Sequence, residues 1–317
     1  MGLRIVLMGT GEFAVPPFTA LLDSERHQVA GVYTQPDRTG RGHHRHVNKV
    51  KELALAREVP VFQPQRINTP EDLAELAALQ ADVFVVAAYG QILKPELLAI
   101  PRLGAFNLHG SLLPRHRGAA PVQYSIWKGD RETGVTIFQI EPSLDSGPMV
   151  GRVVTEIGAE ETSGELMTRL ADLSVPLTLQ VVDELDAETA VFEPQDAARV
   201  TLAPKIQKTD GVIDWNQSAE AVDCHVRAMQ PWPKAVSWLH SEGRQPLRCI
   251  VQQVRPQSDR LPTVGGIQSD GRRMLVGCGS GSIEILTIQP DGKKAMEAAG
   301  FLNGYGIGDG AVFQPQA

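Results

Sequence analysis

Over its first two hundred residues the chain alternates short apolar runs with amphipathic stretches. Residues 3–8 and 29–33 are almost continuously apolar, and 82–88 repeats the pattern. Runs of this length without polar alternation predict strands buried on both faces. Between them, Thr69-Pro70-Glu71-Asp72 reads as a helix start: a capping hydroxyl, a proline at the first position, and acids in the first turn. Leu73, Leu76 and Leu79 then fall on one helical face. A short helix is expected at 95–100. At 106–109 the pattern becomes strict alternation, with Phe106 and Leu108 apolar, Asn107 and His109 polar. Residues two apart on a strand share a face, so Asn107 and His109 point the same way. Gly110 and the sequence Ser111-Leu112-Leu113-Pro114 cannot continue a ladder and predict a turn. A helix at 122–128, strands at 133–141 and 150–157, and a capping-box helix from Thr162 to about residue 185 follow, in spite of Pro176. This order predicts an α/β fold with a doubly wound, mostly parallel sheet, which places ligands at the carboxyl ends of its strands.

After residue 192 the pattern changes. Residues 193–208 are polar and irregular and read as a linker. A helical stretch at 218–229 precedes five short strands at 235–240, 247–254, 265–268, 274–278 and 283–289, separated by Gly, Pro and Asp. Short strands at this spacing predict a small OB-like β-barrel. A chain of 317 residues accommodates such a division, with a first domain at 1–192, a linker at 193–208 and a second domain at 209–317.

Composition narrows the setting. With 42% hydrophobic and 21% charged residues the chain reads as an ordinary soluble protein. No apolar run approaches the roughly 20 residues that span a bilayer, so no membrane partner is expected. Cys224, Cys249 and Cys278 lie far apart without C-x-x-C spacing, which predicts neither a metal site nor a disulfide framework and suits a reduced, cytoplasmic protein. The net charge of −7 argues against indiscriminate nucleic-acid binding. The charge is uneven, however. Residues 37–51 hold three Arg, two Lys and three His against one Asp, with Gly40 and Gly42 among them. Besides a merely solvated surface, this stretch suits a phosphate-binding loop, with Arg38, Arg41, Arg45 and Lys49 as the candidate contacts.

Two nucleotide and hydrolase signals weaken on inspection. Gly9-Thr10-Gly11-Glu12-Phe13-Ala14 matches G-x-G-x-x-A, but the acid expected about 20 residues on, at the end of the next strand, is missing; Asp37 lies beyond Pro36. A tight strand-to-helix turn is the better reading. Ser111 lacks the G-x-S-x-G setting of a hydrolase nucleophile.

Asn107-x-His109, Ser111-Leu112-Leu113-Pro114 and Arg117-Gly118-Ala119-Ala120-Pro121 together resemble the folate-dependent formyltransferases. Pro231-Trp232-Pro233 and Gly292-Lys293-Lys294-Ala295-Met296 extend the resemblance to the branch acting on methionyl-tRNA. It implies formyl transfer from 10-formyltetrahydrofolate to the α-amino group of initiator methionyl-tRNA, by direct acyl transfer through a tetrahedral intermediate without a metal. It also implies a folate site along Ser111, Leu112, Leu113 and Pro114, with a cis bond allowed at Leu113–Pro114. Arg38, Arg41, Arg45 and Lys49 would then meet tRNA, and Asp145, in a Leu-Asp-Ser-Gly loop, would join Asn107 and His109 as the catalytic set. Acyl transfer needs a fixed donor for the oxyanion and a proton acceptor for the amine. Asn107 can serve as the first; His109 can also donate to the oxyanion and titrates near working pH, while Asp145 can orient His109 and favour its protonated form, or accept a proton itself, directly or through water. A monomer with no obligate protein partner is the expectation. The alternatives are a small amine acceptor such as a sugar nucleotide or a glycinamide, and a non-catalytic RNA-binding protein on the same fold. The glycinamide enzymes usually carry proline at the Gly110 position and lack the barrel, and intact Asn107, His109 and Asp145 speak against the non-catalytic reading.

Overall fold

The computed structural model describes residues 2–37, 48–308 and 310–314. Arg38, Arg41 and Arg45 lie outside them. The chain divides into two compact units, one formed by Met1–Pro121, Glu132–Glu156 and Met167–Pro204, the other by Val122–Arg131, Ile157–Leu166 and Lys205–Ala317.

In the first unit the elements run β1 (Arg4–Gly9), α1 (Val15–Leu22), β2 (Gln28–Tyr33), α2 (Lys49–Leu55), β3 (Val61–Phe62), α3 (Pro70–Ala78), β4 (Val83–Ala87), α4 (Pro95–Leu98) and β5 (Ala105–His109). α5 (Pro121–Trp127) follows and belongs, after Pro121, to the second unit; the first unit resumes with β6 (Glu132–Gln139), β7 (Met149–Glu156) and, from Met167 on, the long helix α6 (Ser163–Asp186), which contains Pro176. The strands form one sheet in the order β3-β2-β1-β4-β5-β6-β7. Pairing is parallel from β3 to β5 and antiparallel where β6 and β7 close the far side. The continuous apolar runs are buried as expected: Ile5, Val6, Leu7 and Met8 of β1 and Val83 and Phe84 of β4 have almost no exposed surface. Thr69 caps α3 by accepting the Asp72 N–H at 3.2 Å.

The order reverses between β1 and β4, so the crevice beyond their carboxyl ends is the topological switch point. The turn after β1 is a packing device. A Cβ on Gly9 would lie 2.7 Å from the Ala87 carbonyl oxygen and 2.7 Å from the Phe18 ring. Pro16 and Pro17 in the first turn of α1 remove two N–H donors that a bound pyrophosphate would use.

The second unit contains α7 (Ala219–Ala228), β8 (Ala235–His240), β9 (Leu247–Gln257), β10 (Ile267–Ser269), β11 (Met274–Gly277), β12 (Ser282–Pro290), β13 (Met296–Glu297), α8 (Ala298–Tyr305) and β14 (Val312–Gln314). The strands pair antiparallel in the order β10-β11-β12-β9-β8-β14, with β13 on β12. β14 also reaches the segment entering β10: the Phe313 N–H donates to Gly265 O at 2.8 Å and the Ile267 N–H to Ala311 O at 3.1 Å. These bonds bring the two ends of the sheet together into a nearly closed barrel. Trp215 stacks on Phe313 inside it and donates its Nε1–H to Ser237 Oγ at 3.0 Å. The five expected barrel strands are present, and the two further short ones, β13 and β14, complete the sheet.

Candidate active site

β5 ends at the site. Its alternation places Asn107, half-buried, and His109, buried, on the face that also carries Ala105. β6 pairs antiparallel beside it and sets Phe138 edge-on to the His109 ring, with ring centroids 6.2 Å apart. Beyond Gly110 the chain folds back on itself. The Ser111 hydroxyl donates to Arg115 O at 2.7 Å, and Thr136 Oγ1 both donates to Ser111 O at 2.7 Å and accepts the Leu113 N–H at 3.1 Å. Leu113–Pro114 is cis. Ser111, Leu113 and Pro114 are buried, whereas Leu112 keeps partial exposure.

This fold-back brings the His116 carbonyl to His109, whose Nε2 lies 2.9 Å from it. A carbonyl only accepts, so Nε2 carries the proton. In the neutral ring Nδ1 is then bare. It faces Asp145, 3.7 Å from Oδ2, too far for a direct hydrogen bond. Burial pushes the His109 imidazole below its ordinary value; the Asp145 charge and the His116 carbonyl act the other way, and the nearby His116 and Arg117 charges add to the lowering. Asp145 thus pulls toward the protonated form as the sequence suggests, yet desolvation wins and the ring is neutral near pH 7.

Asp145 is itself held. It adopts φ +45°, and its Oδ2 accepts the Gly118 N–H at 2.7 Å. Gly118 has φ +126°, and a Cβ there would lie 2.6 Å from the Ala203 carbonyl oxygen. That close approach exists because 201–203 runs beside 117–120: the Arg117 N–H donates to Thr201 O at 2.9 Å, and Ala203 N–H to Arg117 O at 2.7 Å. The Thr201 hydroxyl accepts the His116 N–H at 2.8 Å. Gln195 ties the remaining pieces. Its Oε1 accepts from Arg117 Nε at 3.1 Å and Nη2 at 2.7 Å, while its Nε2 donates to Asp145 O and Gly147 O, each at 2.8 Å.

Asn107, His109, Asp145 and residues 111–114 therefore lie in one unit around the end of β5. Gln195 and Thr201 were not singled out from the sequence. Both sit in an irregular segment without periodicity, and their long-range bonds leave no local signal. Lys49, at the start of α2, pairs with Glu12 at 2.6 Å. Asn48, the residue before α2, donates Nδ2–H to Thr34 Oγ1 at 2.9 Å, and Gln63 donates Nε2–H to Asp37 Oδ1 at 2.9 Å.

Comparison with known proteins identifies the family. Residues 3–182 match the formyl transferase model, and residues 205–306 match the formyl transferase C-terminal domain. The chain is 44% identical to a methionyl-tRNA formyltransferase of Pseudoalteromonas translucida over 305 residues, covering 95% of this chain and 94% of that one. It is also 44% identical to one of Methylococcus capsulatus over 306 residues, covering 96% and 98%. Among solved structures, the sugar 3N-formyl transferase WlaRD superposes with a TM-score of 0.66 at 14% identity, over 93% of this chain and all of that one. HypX from Aquifex aeolicus, in complex with tetrahydrofolic acid, gives 0.62 at 15% identity over all of this chain and 49% of that one. At those identities the two structures share the fold alone. With both domain models matched in order and two relatives aligned almost from end to end, the chain belongs to the formyl transferase family.

Proposed function

We propose that this protein transfers the formyl group of 10-formyltetrahydrofolate to the α-amino group of initiator methionyl-tRNA. The observation that carries the reading is the 44% identity to methionyl-tRNA formyltransferases across both domains. The likeness to a sugar formyltransferase, at 14% identity, extends to the fold only.

The folate supplies the formyl carbon and a nitrogen leaving group. This chain's residues supply the rest. An α-amino group titrates near 7.7, so much of it reaches the site as ammonium. The Asp145 carboxylate attracts it; the ammonium first releases one proton to solvent, and the bare Nδ1 of His109 then accepts a second proton from the amine nitrogen as it attacks. The imidazolium that forms has Asp145 beside Nδ1 and the His116 carbonyl on Nε2–H, so both ring nitrogens face negative partners. Proton return to the departing nitrogen starts from the same Nδ1. The Asn107 amide, on the same strand face as His109, donates to the developing oxyanion. Along 111–114 the folate meets Leu112 and main chain, since the other three side chains turn inward.

Arg38, Arg41, Arg45 and Lys49 bind the acceptor's phosphates, and the barrel of the second unit, within 209–317, docks the tRNA body. The protein works as a monomer in the cytoplasm; among the described residues no helix is long and apolar enough to cross a membrane. Incubation with radiolabelled 10-formyltetrahydrofolate, a panel of charged tRNAs and an amino-sugar nucleotide tests the reading. Label is expected in methionyl-tRNA. Label in the sugar nucleotide with none in tRNA would refute it.

A further inference from the structure

Gln195 uses its whole hydrogen-bonding capacity. A side-chain amide has two acceptor lone pairs and two donor hydrogens. Here both lone pairs take the Arg117 edge, and both hydrogens go to the Asp145 and Gly147 carbonyls. The partners fix which end is which: a flipped amide would set N–H against guanidinium N–H and oxygen against two carbonyl oxygens. The residue is half-buried within an otherwise exposed run.

The arrangement solves a particular problem. Arg117 is a permanent cation one residue from Gly118, whose N–H already rests on the Asp145 carboxylate at 2.7 Å. A guanidinium pairs with a carboxylate bidentately and strongly. Pairing of that kind would turn Asp145 away from His109 Nδ1 and neutralise it toward an incoming ammonium. We infer that Gln195 is a positioning residue whose neutral amide occupies Arg117 and so keeps the Asp145 carboxylate facing His109. Glutamate could not replace it, because its second oxygen would oppose the two carbonyls. Alanine would leave the carbonyls without donors and the guanidinium without its acceptor.

The inference rests on the reading of His109 and Asp145 given above and is tested by a double-mutant cycle. Gln195→Ala is expected to lower kcat about 10²-fold, the scale of a misplaced acid–base pair, with KM for folate within about threefold, since the proposed folate loop is untouched. Arg117→Ala in the same chain is expected to restore at least about tenfold of that loss; Gln195→Glu is expected not to restore it. NMR titration of the His109 ring reads the same contact without turnover. The charged or titratable groups acting on that ring are Asp145, His116 and Arg117. Losing the Asp145 charge lowers its pKa further, so the acid limb of the kcat/KM profile moves to lower pH in Gln195→Ala; in the double variant it moves back up, past wild type to the extent that the Arg117 charge itself lowered the ring. If Gln195→Ala does not fold, Gln195→Met fills the space without polar atoms and enters the cycle instead. A double variant no better than the single one, with an unmoved His109 titration, overturns the inference. A wild-type chain that forms no formylmethionyl-tRNA refutes the proposed acceptor instead and leaves the NMR test standing.

Discussion

Asp145→Asn isolates charge from shape. The amide keeps an oxygen for the Gly118 N–H and nearly the same volume, and removes only the negative charge beside His109. That charge lies 3.7 Å from Nδ1, on a side chain 17% exposed, facing a ring 4% exposed. At an effective dielectric of about 20, unit charges this close attract by about 4 kcal/mol. A tenfold factor corresponds to about 1.4 kcal/mol, so the imidazolium formed during transfer loses up to about 10³-fold of its stabilisation. Burial already disfavours that imidazolium, and nothing else in the described site offers an opposite charge to Nδ1. Single-turnover formyl transfer to methionyl-tRNA, measured with both substrates saturating, is expected to slow by about 10²–10³-fold, while folate affinity stays within about threefold. A thermal melt checks that the loop still folds. A rate within threefold of wild type, or a loss confined to KM, would refute the assignment of Asp145 to the proton-transfer step.

Three other expectations concern a backbone close approach, a buried histidine and the basic stretch before α2. Gly118→Ala forces a side chain into φ +126° and toward the Ala203 carbonyl oxygen at 2.6 Å; it is expected to cost about 1–3 kcal/mol of stability together with most of kcat, and unchanged melting and turnover would contradict the geometry. His225 donates Nε2–H to Asp210 O, and its Nδ1 is buried with no hydrogen-bond partner among the described residues. Burial lowers its pKa below the ordinary 6.5. The unfolded state therefore binds the proton first, and the stability His225 contributes is complete above about 6.5 and is lost as pH falls through the lowered folded value. Urea melts of His225→Phe should show a flatter acid slope than wild type, and an identical slope would remove His225 from the account. Replacing Arg38, Arg41 and Arg45 together by Ala should raise KM for tRNA and reduce the slope of log KM against log salt by up to about 0.9 per lost phosphate contact on a duplex stem; an unchanged slope would return these arginines to plain surface.

The strands and helices that build the sheet were legible because burial writes itself into local pattern. The alternation of Phe106, Asn107, Leu108 and His109 told which side chains would share a face, and the structure keeps that register. Asp145 was legible only through resemblance, since a carboxylate in a Gly/Pro loop looks like any turn residue. Gln195 and Thr201 were not legible, because their bonds reach the 114–118 and 145–147 turns across 48 to 85 positions of chain. Nor was the charge state of His109. The sequence names its partner Asp145, but the desolvation that outweighs that partner depends on how fully Phe138 and the 111–116 fold-back cover the ring. β14 escaped notice for a simpler reason: three residues are too few to show a period.

The barrel's closing strand has a consequence for how the protein is made. β14 is Val312–Gln314, and it supplies the partner both for β8 and for the segment entering β10. Val122–Arg131 and Ile157–Leu166 also belong to this unit, although a ribosome emits them well before the strands they join. Until residue 314 leaves the exit tunnel, β8 and 265–267 present open edges, and open edges recruit other strands. The barrel of the second unit therefore closes only once residue 314 has emerged, from pieces that have been waiting, and its exposure to aggregation falls within that delay. A frameshift or protease cut that removes β14 would leave every residue of the candidate active site in place and still yield a chain with two sticky sheet edges.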